Sequence, residues 1–248
     1  AYRGSPAFAR DDAYWSGQLP ALPEPLMERR HAAQRRHVLP QAHLLVKRLS
    51  RADYDRMVAQ AAILGVSPFN LFMAALVLYF SRVSGKADVV VGVPSLNRGG
   101  RKFRETLGMF VGVLAVPVQV KAGQTVGDLL AAVGVAMRGA LRHPRYPLSE
   151  LGRKLEVIRH GREGLFDLLL SFERQDYEVA FGEAQLIDSR QLFSGTARYP
   201  LSLTVCEFHT DQDVELVLEA SETCFTAQEG GLLGLRIWSL VHVLAANT

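Results

Sequence analysis

The sequence predicts an α/β (α+β) fold, a mixed sheet covered by helices, and three observations carry that expectation. Short runs rich in β-branched and apolar residues alternate with helical patterns along the chain, as in layered folds where helices cover a sheet. The run Asp88 to Val93 is rich in valine with no polar alternation, which suits a strand buried on both faces. The stretch from Pro68 to Val83 is apolar nearly all round, which marks a buried helix.

The elements follow in order. Phe8 to Leu19 forms a short helix around Tyr14 and Trp15, after which Pro20, Pro23 and Pro25 break any regular structure. Ala42 to Leu49 reads as a strand. Ser50 caps the next helix with Asp53 in its first turn, Met57, Ala61, Ile63 and Leu64 give it an apolar face, and Gly65 ends it. Ser67-Pro68 starts the buried helix, completing an αα-hairpin, and Gly85 terminates it. The valine-rich strand follows, ended by Pro94, then a polar loop to Thr106. Leu107 to Val120 reads as one long strand bent at Gly108 and Gly112. Thr125 caps a helix reaching Arg142, and a short helix lies near Ser149 to Leu155. Leu165 to Phe172 is a strand, and residues 173–198 are polar and irregular. Tyr199 to Phe208 and Val214 to Ala220 form a hairpin. Thr226 caps the last helix, to about Ala245. The tally is five or six strands and five or six helices with no repeats, one domain being the simpler count.

Composition excludes several classes. A chain of 248 residues buries roughly 70% of its extended surface, enough for a real core. The net charge of +3 does not demand a polyanionic partner, and the basic cluster Arg29 to His37 has no interleaved aromatics, so nucleic acid is not expected. The longest apolar run, Leu71 to Phe80, is too short to span a bilayer, so no membrane partner is expected either. Two cysteines, Cys206 and Cys224, suit neither a zinc site nor a disulfide framework, and a reducing cytoplasm is the expected compartment. The chain starts at Ala1 without an apolar signal segment, and is read as a piece of something larger.

Standard catalytic signatures fail. There is no nucleophile elbow, no H-E-x-x-H zinc motif and no phosphate-binding Walker loop. Ser84-Gly-Lys86 is better read as a helix end, and Gly230-Gly-Leu-Leu-Gly234 lies inside a helical pattern. Seven histidines are scattered at 31, 37, 43, 143, 160, 209 and 242, and no two are adjacent. His143 and His160 sit in loops, where function concentrates, yet neither has an acid at a sequence spacing that would fix its ring. No catalytic residue and no metal site is expected on this chain.

Four short segments in a fixed order carry a further signal: Gly85 to Pro94 running on to Arg98, Leu107 to Val111, His143-Pro-Arg-Tyr-Pro147 and Leu165-Phe-Asp167. With Tyr14-Trp15 near the start, they resemble the C-terminal half of a nonribosomal peptide synthetase condensation domain. The resemblance implies one lobe of a two-lobed, chloramphenicol-acetyltransferase-like fold, with residues 1–40 the connection between lobes and 41–248 the C-terminal lobe. It also implies an acyltransferase that joins a carrier-bound acyl thioester to an amine in a tunnel between the lobes. The family's catalytic HHxxxDG would then belong to the N-terminal lobe, leaving this chain inactive by itself. Implied partners are that lobe and donor and acceptor carrier proteins, whose phosphopantetheine arms deliver the substrates, with no cofactor bound directly.

On the resemblance, Met109, Phe110, Gly112, Val113 and Ser202 are candidates for the tunnel wall. Tyr14, Trp15, Arg98, Arg101, His143 and Tyr146 are candidates for carrier or lobe contacts. The residue pattern alone favours plain core packing for Met109, Phe110, Val111 and Val113. Gly112 and Val113 stand where the family has Asn-Thr, Pro117 where it has Arg, Pro144-Arg145 where it has Gln-Asp and Leu148-Ser149 where it has Phe-Glu. These departures leave open a divergent subgroup with an unusual acyl donor or acceptor, or a reduced-activity member. The rival readings of the whole are a non-catalytic domain that recruits carriers or partners, and an epimerising or stand-alone relative.

Overall fold

The computed structural model describes residues 2–30, 39–99, 103, 105–174, 182–184 and 192–246. The strands are β1 Ala42–Leu49, β2 Asp88–Ser95, β3 Gly112–Gln119, β4 Leu168–Arg174, β5 Leu201–Glu207 and β6 Val214–Ser221. The helices among the described residues are α1 Pro6–Gln18, α2 Arg51–Ile63, α3 Pro68–Ser84, α4 Val126–Leu141, α5 Leu148–Lys154 and α6 Ala227–Ala246. The strands run in the order β1-β6-β5-β4-β2-β3 in a mixed sheet, as the sequence predicts. The expected irregular stretch is described only in part, since 175–181 and 185–191 lie outside the described residues. The described chain falls into two compact units, residues 1–26 with 77–167, and residues 27–76 with 168–248, the division falling within α3.

In the first unit β2 and β3 pair antiparallel from Asp88 opposite Gln119 to Ser95 opposite Gly112, and α4 and α5 pack on β3. The valine run is buried as expected, with Val89, Val90, Val91 and Val93 all in the core. Two sequence boundaries are corrected. Pro94 does not end β2; it stays in the ladder opposite Val113. The long strand expected from Leu107 begins only at Gly112, because the carbonyls of Thr106 and Gly108 bond to the Arg98 side chain rather than to a neighbouring strand. Pro117 sits in β3, the last strand in the order, where a missing N–H is tolerated because an edge strand has one unpaired side. Thr125 caps α4 as predicted, accepting from the Asp128 N–H while the Asp128 carboxylate accepts from the Thr125 N–H, a reciprocal arrangement that satisfies two end donors.

In the second unit β1 pairs antiparallel with β6 from Ala42 opposite Ser221, β6 antiparallel with β5, and β5 parallel with β4. The helices sit on one face. Phe69 and Phe72 of α3 meet the Phe172 ring, and Gly230 and Gly234 of α6 face Ala220 and Leu218. Alternation therefore turns Ser202, Thr204 and Cys206 of β5, with Glu215, Val217 and Glu219 of β6, to the opposite face.

One buried carboxylate joins this unit's distant segments. Glu207, 5% exposed, accepts from the Tyr54 hydroxyl at 3.0 Å, from Arg51 at 3.0 Å and from Arg174 at 3.2 Å. The Arg51 guanidinium also donates to the carbonyls of His209 and Gln212, and the Arg51 backbone N–H donates to the Asp213 carboxylate. The start of α2 is thereby fastened to the β5–β6 turn. Burial and the neighbouring Glu207 raise the Tyr54 hydroxyl above its ordinary value, so it remains the donor. At the start of α6, hydrogen bonds from Arg30 and from the Thr226 backbone hold Glu229 down at about 2.

Gly92 in β2 is required by packing. A Cβ there would overlap the Phe166 ring, and filled cores resist added volume. Gly92→Ala is expected to lower stability by about 1–3 kcal/mol, read as a drop in denaturant midpoint at unchanged m-value. Phe166→Leu in the same chain should recover part of the loss, and no recovery would refute the steric account.

Candidate functional site

The candidate site grows from α1. Ser5 caps this helix, accepting from the Phe8 N–H at 3.3 Å, with Pro6 in its first turn. The helical spacing then sets Asp11, Tyr14 and Trp15 on one side, against the loop from His143 to Pro147. The Trp15 indole donates to the His143 carbonyl at 3.0 Å. His143 Nδ1 lies 2.7 Å from Asp11 Oδ1, and the His143 ring stacks on Tyr14 with centroids 4.1 Å apart. Asp11 is 4% exposed and also accepts from the Tyr2 hydroxyl at 2.5 Å.

The expectation that His143 has no fixing acid is thus corrected. Its partner lies 132 residues upstream, beyond the reach of any spacing rule. With Nδ1 committed to Asp11 and one ring face covered by Tyr14, His143 ties α1 to the loop. Gly139 of α4 leaves room for the same group, since a Cβ there would come 2.5 Å from the Tyr14 hydroxyl. Its place inside a helical pattern gave the sequence reading no sign of this.

Beside it, Asp12 accepts from the Tyr146 hydroxyl and from Lys154 Nζ, each at 2.5 Å, and Lys154 also reaches Ser16 at 3.2 Å. The hydrogen bond from Lys154, then that from Tyr146, holds the Asp12 carboxyl below its ordinary value. Burial, then the bond to Asp12, pushes the Tyr146 hydroxyl up. Burial and Asp11 do the same to Tyr2. Both phenols therefore stay protonated donors at neutral pH.

A second element is built around Arg98. Its guanidinium donates to the carbonyls of Phe103, Thr106 and Gly108 at 2.8, 2.8 and 2.7 Å, and lies 4.6 Å from the Phe110 ring centre. Gly108 has φ +139°, a backbone state that favours glycine. The result displays apolar side chains: Leu107 is 98% exposed and Met109 93%. Arg145, one of the departures from the family pattern, links the two elements by lying over the rings of Tyr2 and Phe103. A third fastening uses the Leu165-Phe-Asp167 segment. Asp167 accepts from the Leu26 N–H at 2.7 Å and from Arg162 at 3.3 Å, while Arg162 holds the Pro23 carbonyl.

The first unit therefore brings together Tyr14, Trp15, His143 and Tyr146, and places Arg98, Met109, Phe110, Gly112 and Val113 on the adjoining loop and strand. Met109 and Val111 are exposed rather than core, Phe110 is half-buried beneath Arg98, and Gly112 and Val113 begin β3. Arg101 lies outside the described residues. Ser202 belongs to the second unit, buried on β5 opposite Glu219. Burial raises the Glu219 carboxyl, and burial with Glu173 and Glu215 pushes the Cys206 thiol up to about 12. Among the described residues no group of His, Cys, Asp and Glu could hold a metal ion, and no single helix is long and apolar enough to cross a membrane.

The fold places the chain among solved condensation domains. It superposes on the first condensation domain of the CDA synthetase with a TM-score of 0.81 at 23% identity, over 99% of this chain and 53% of that one. The condensation domain from the monacolin K polyketide synthase MokA gives 0.74 at 20% identity, over 97% and 58%. The family model for the condensation domain matches residues 1–230, so the chain belongs to the condensation-domain family. It is 31% identical over 184 residues to tyrocidine synthase 3 of Brevibacillus parabrevis, covering 69% of this chain and 3% of that protein. It is 25% identical over 241 residues to surfactin synthase subunit 2 of Bacillus subtilis (strain 168), covering 95% and 7%. The chain thus spans about half the length of the solved domains and a small fraction of the synthetases.

Two outcomes test the site's assembly. Because the folded Asp12 value is depressed, its contribution is present above the unfolded carboxylate value of about 3.9 and is lost as pH falls through the folded value. Unfolding midpoints from pH 6 down to pH 2 should show this loss, and Tyr146→Phe with Lys154→Met should reduce that acid slope. An unchanged slope would remove Asp12 from the account. Arg98→Lys keeps the charge but cannot span three carbonyls; proteolysis within 103–111 is expected to rise about tenfold with little change in global midpoint.

Proposed function

We propose that residues 41–248 are the C-terminal lobe of a condensation-type acyltransferase and that residues 1–40 connect it to a preceding lobe carrying HHxxxDG. The reaction joins a carrier-bound acyl thioester to an amine acceptor in nonribosomal peptide or hybrid synthesis, in the cytoplasm. The observation that carries this reading is the family match over residues 1–230 in a chain about half as long as solved condensation domains. The relatives named above are a tyrocidine synthase and a surfactin synthase subunit, and the product in this reading is an amide.

In this reading the amine attacks the thioester carbonyl, the C–N bond forms as the C–S bond breaks, and the amine's surplus proton ends on the departing thiolate. The thiolate leaves readily, so little acid–base power is needed, and orientation alone supplies up to about 7–11 kcal/mol in favourable cases. This chain's part is positioning. The exposed Leu107 and Met109, held out by Arg98, suit contact with another protein surface or an apolar substrate. Met109, Phe110, Gly112, Val113 and Ser202 remain the proposed tunnel wall, and the phosphopantetheine arms arrive on carrier proteins. The aromatic group of Tyr14, Trp15, His143 and Tyr146 is proposed to set the carrier-facing or lobe-facing surface.

The test is a two-lobed protein, this chain with its upstream region, given loaded donor and acceptor carrier proteins. An amide product detected by mass spectrometry is expected, with none from the 248-residue chain alone. Turnover by the chain alone would sink the division of labour. Carrier binding without any product from the two-lobed protein would favour a recruiting domain, the reading that the substitutions at Gly112 and Val113 support. Product from a free amine or alcohol without a carrier would favour a stand-alone relative.

A further inference from the structure

The second unit holds a cavity of about 250 Å³ on the helix-covered face of its sheet. Its walls come from Leu45 and Lys47 of β1, Leu216 and Leu218 of β6, and Gly231 and Trp238 of α6. Ser202 points to the opposite face of the same strands, so the cavity is separate from the proposed tunnel wall.

Its existence follows from the sequence of α6. Glycine inside a helix is about 1 kcal/mol less favourable than alanine, so Gly231 and Gly234 need a reason. Close approach does not provide it. A Cβ at Gly231 would have its nearest neighbour, Leu45, at 3.9 Å, and one at Gly234 would meet Leu218 at 3.4 Å. Alanine would fit at both positions, and the missing side chains leave space. Dense packing is the norm in protein interiors, and an apolar recess of this size, open to solvent on one side, offers room for an apolar guest.

The chemistry of the guest is set at the mouth. Among the described residues, Lys47 is the sole charged one lining the cavity. Its ammonium lies 5.1 Å from the centre of the Trp238 ring, and no carboxylate lies within ion-pair distance of it among the described residues. Trp238 itself is held by its contact with His242. An apolar chamber whose one charged group is an unpaired cation at the rim favours a ligand with an apolar body and a single anionic head.

We infer that this cavity is a binding site for a small anionic amphiphile, a carboxylate on an aliphatic chain of about eight carbons, somewhat larger than the benzene accepted by an engineered cavity of about 150 Å³. The chain enters between Gly231 and Leu45, and the carboxylate pairs with Lys47, replacing the ammonium's contact with Trp238. This site is independent of the condensation reading and stands or falls without it.

Calorimetric titration of the full chain with sodium octanoate tests it, with octylammonium as the charge-reversed control. Saturable one-to-one octanoate binding at or below about 1 mM is expected, accompanied by a change in Trp238 fluorescence, with no binding of octylammonium. Lys47→Glu changes an exposed side chain and should weaken octanoate about tenfold or more, while Gly231→Leu fills the chamber and should abolish binding. Equal affinity for the two amphiphiles, or octanoate binding unaffected by Gly231→Leu, overturns the assignment. So does the absence of saturable binding, or affinity for anionic vesicles without affinity for monomeric octanoate. Should Gly231→Leu fail to fold, the Lys47→Glu comparison and the octylammonium control still decide.

Discussion

Each unit of this chain is organised around a carboxylate taken out of water. Asp11 and Glu207 are both about 5% exposed or less, and a buried charge is tolerated only when it is paired and hydrogen-bonded. Asp11 gathers Tyr2 and His143; Glu207 gathers Tyr54, Arg51 and Arg174. The requirement is stringent, since losing one partner of such a group leaves an uncompensated charge. The consequence is geometric. α1 can lie only where Asp11 meets the 143–147 loop, and α2 can begin only where Arg51 reaches the β5–β6 turn. Packing of the valine strands and apolar helices supplies most of the favourable free energy, while these carboxylates select the arrangement.

The part of the fold governed by local chemistry was legible in the sequence. Ser50, Thr125 and Thr226 each announce a helix start because a side-chain oxygen followed three residues later by an acid satisfies end donors, and all three do so. The β5–β6 hairpin and the doubly buried β2 follow from residue type alone. The misread elements have a common cause. Leu107 to Val111 carries the composition of a strand, yet Arg98 claims the carbonyl of Gly108 within it and that of Thr106 just before it, a tertiary demand that β propensity does not express. Pro94 stays in its ladder although proline usually marks an end. His143 has no acid at a telling sequence spacing, because spacing reports neighbours along the chain and Asp11 is a neighbour only in the fold.

The four segments that carry the family signal turn out to be fastenings. Arg98 collects carbonyls, His143 ties a helix, Phe166 covers Gly92 and Asp167 anchors the segment around Leu26. None of these uses leaves a nucleophile or base exposed among the described residues, which fits the positioning part proposed for this chain. What they do expose is the apolar edge at Leu107 and Met109, held in fixed backbone geometry. A rigid display of apolar groups suits recognition better than a mobile one, because less ordering entropy is lost on contact.

The burial of both thiols has a practical corollary. Cys206 and Cys224 are 3% and 2% exposed, and Cys206 is held in its neutral, unreactive form, whereas thiol chemistry proceeds through the exposed thiolate. The native chain is therefore nearly silent toward maleimides and disulfide exchange. A single cysteine engineered at Met109 would be its one addressable handle, a natural anchor for a cross-linker or spectroscopic tag reporting what approaches that edge.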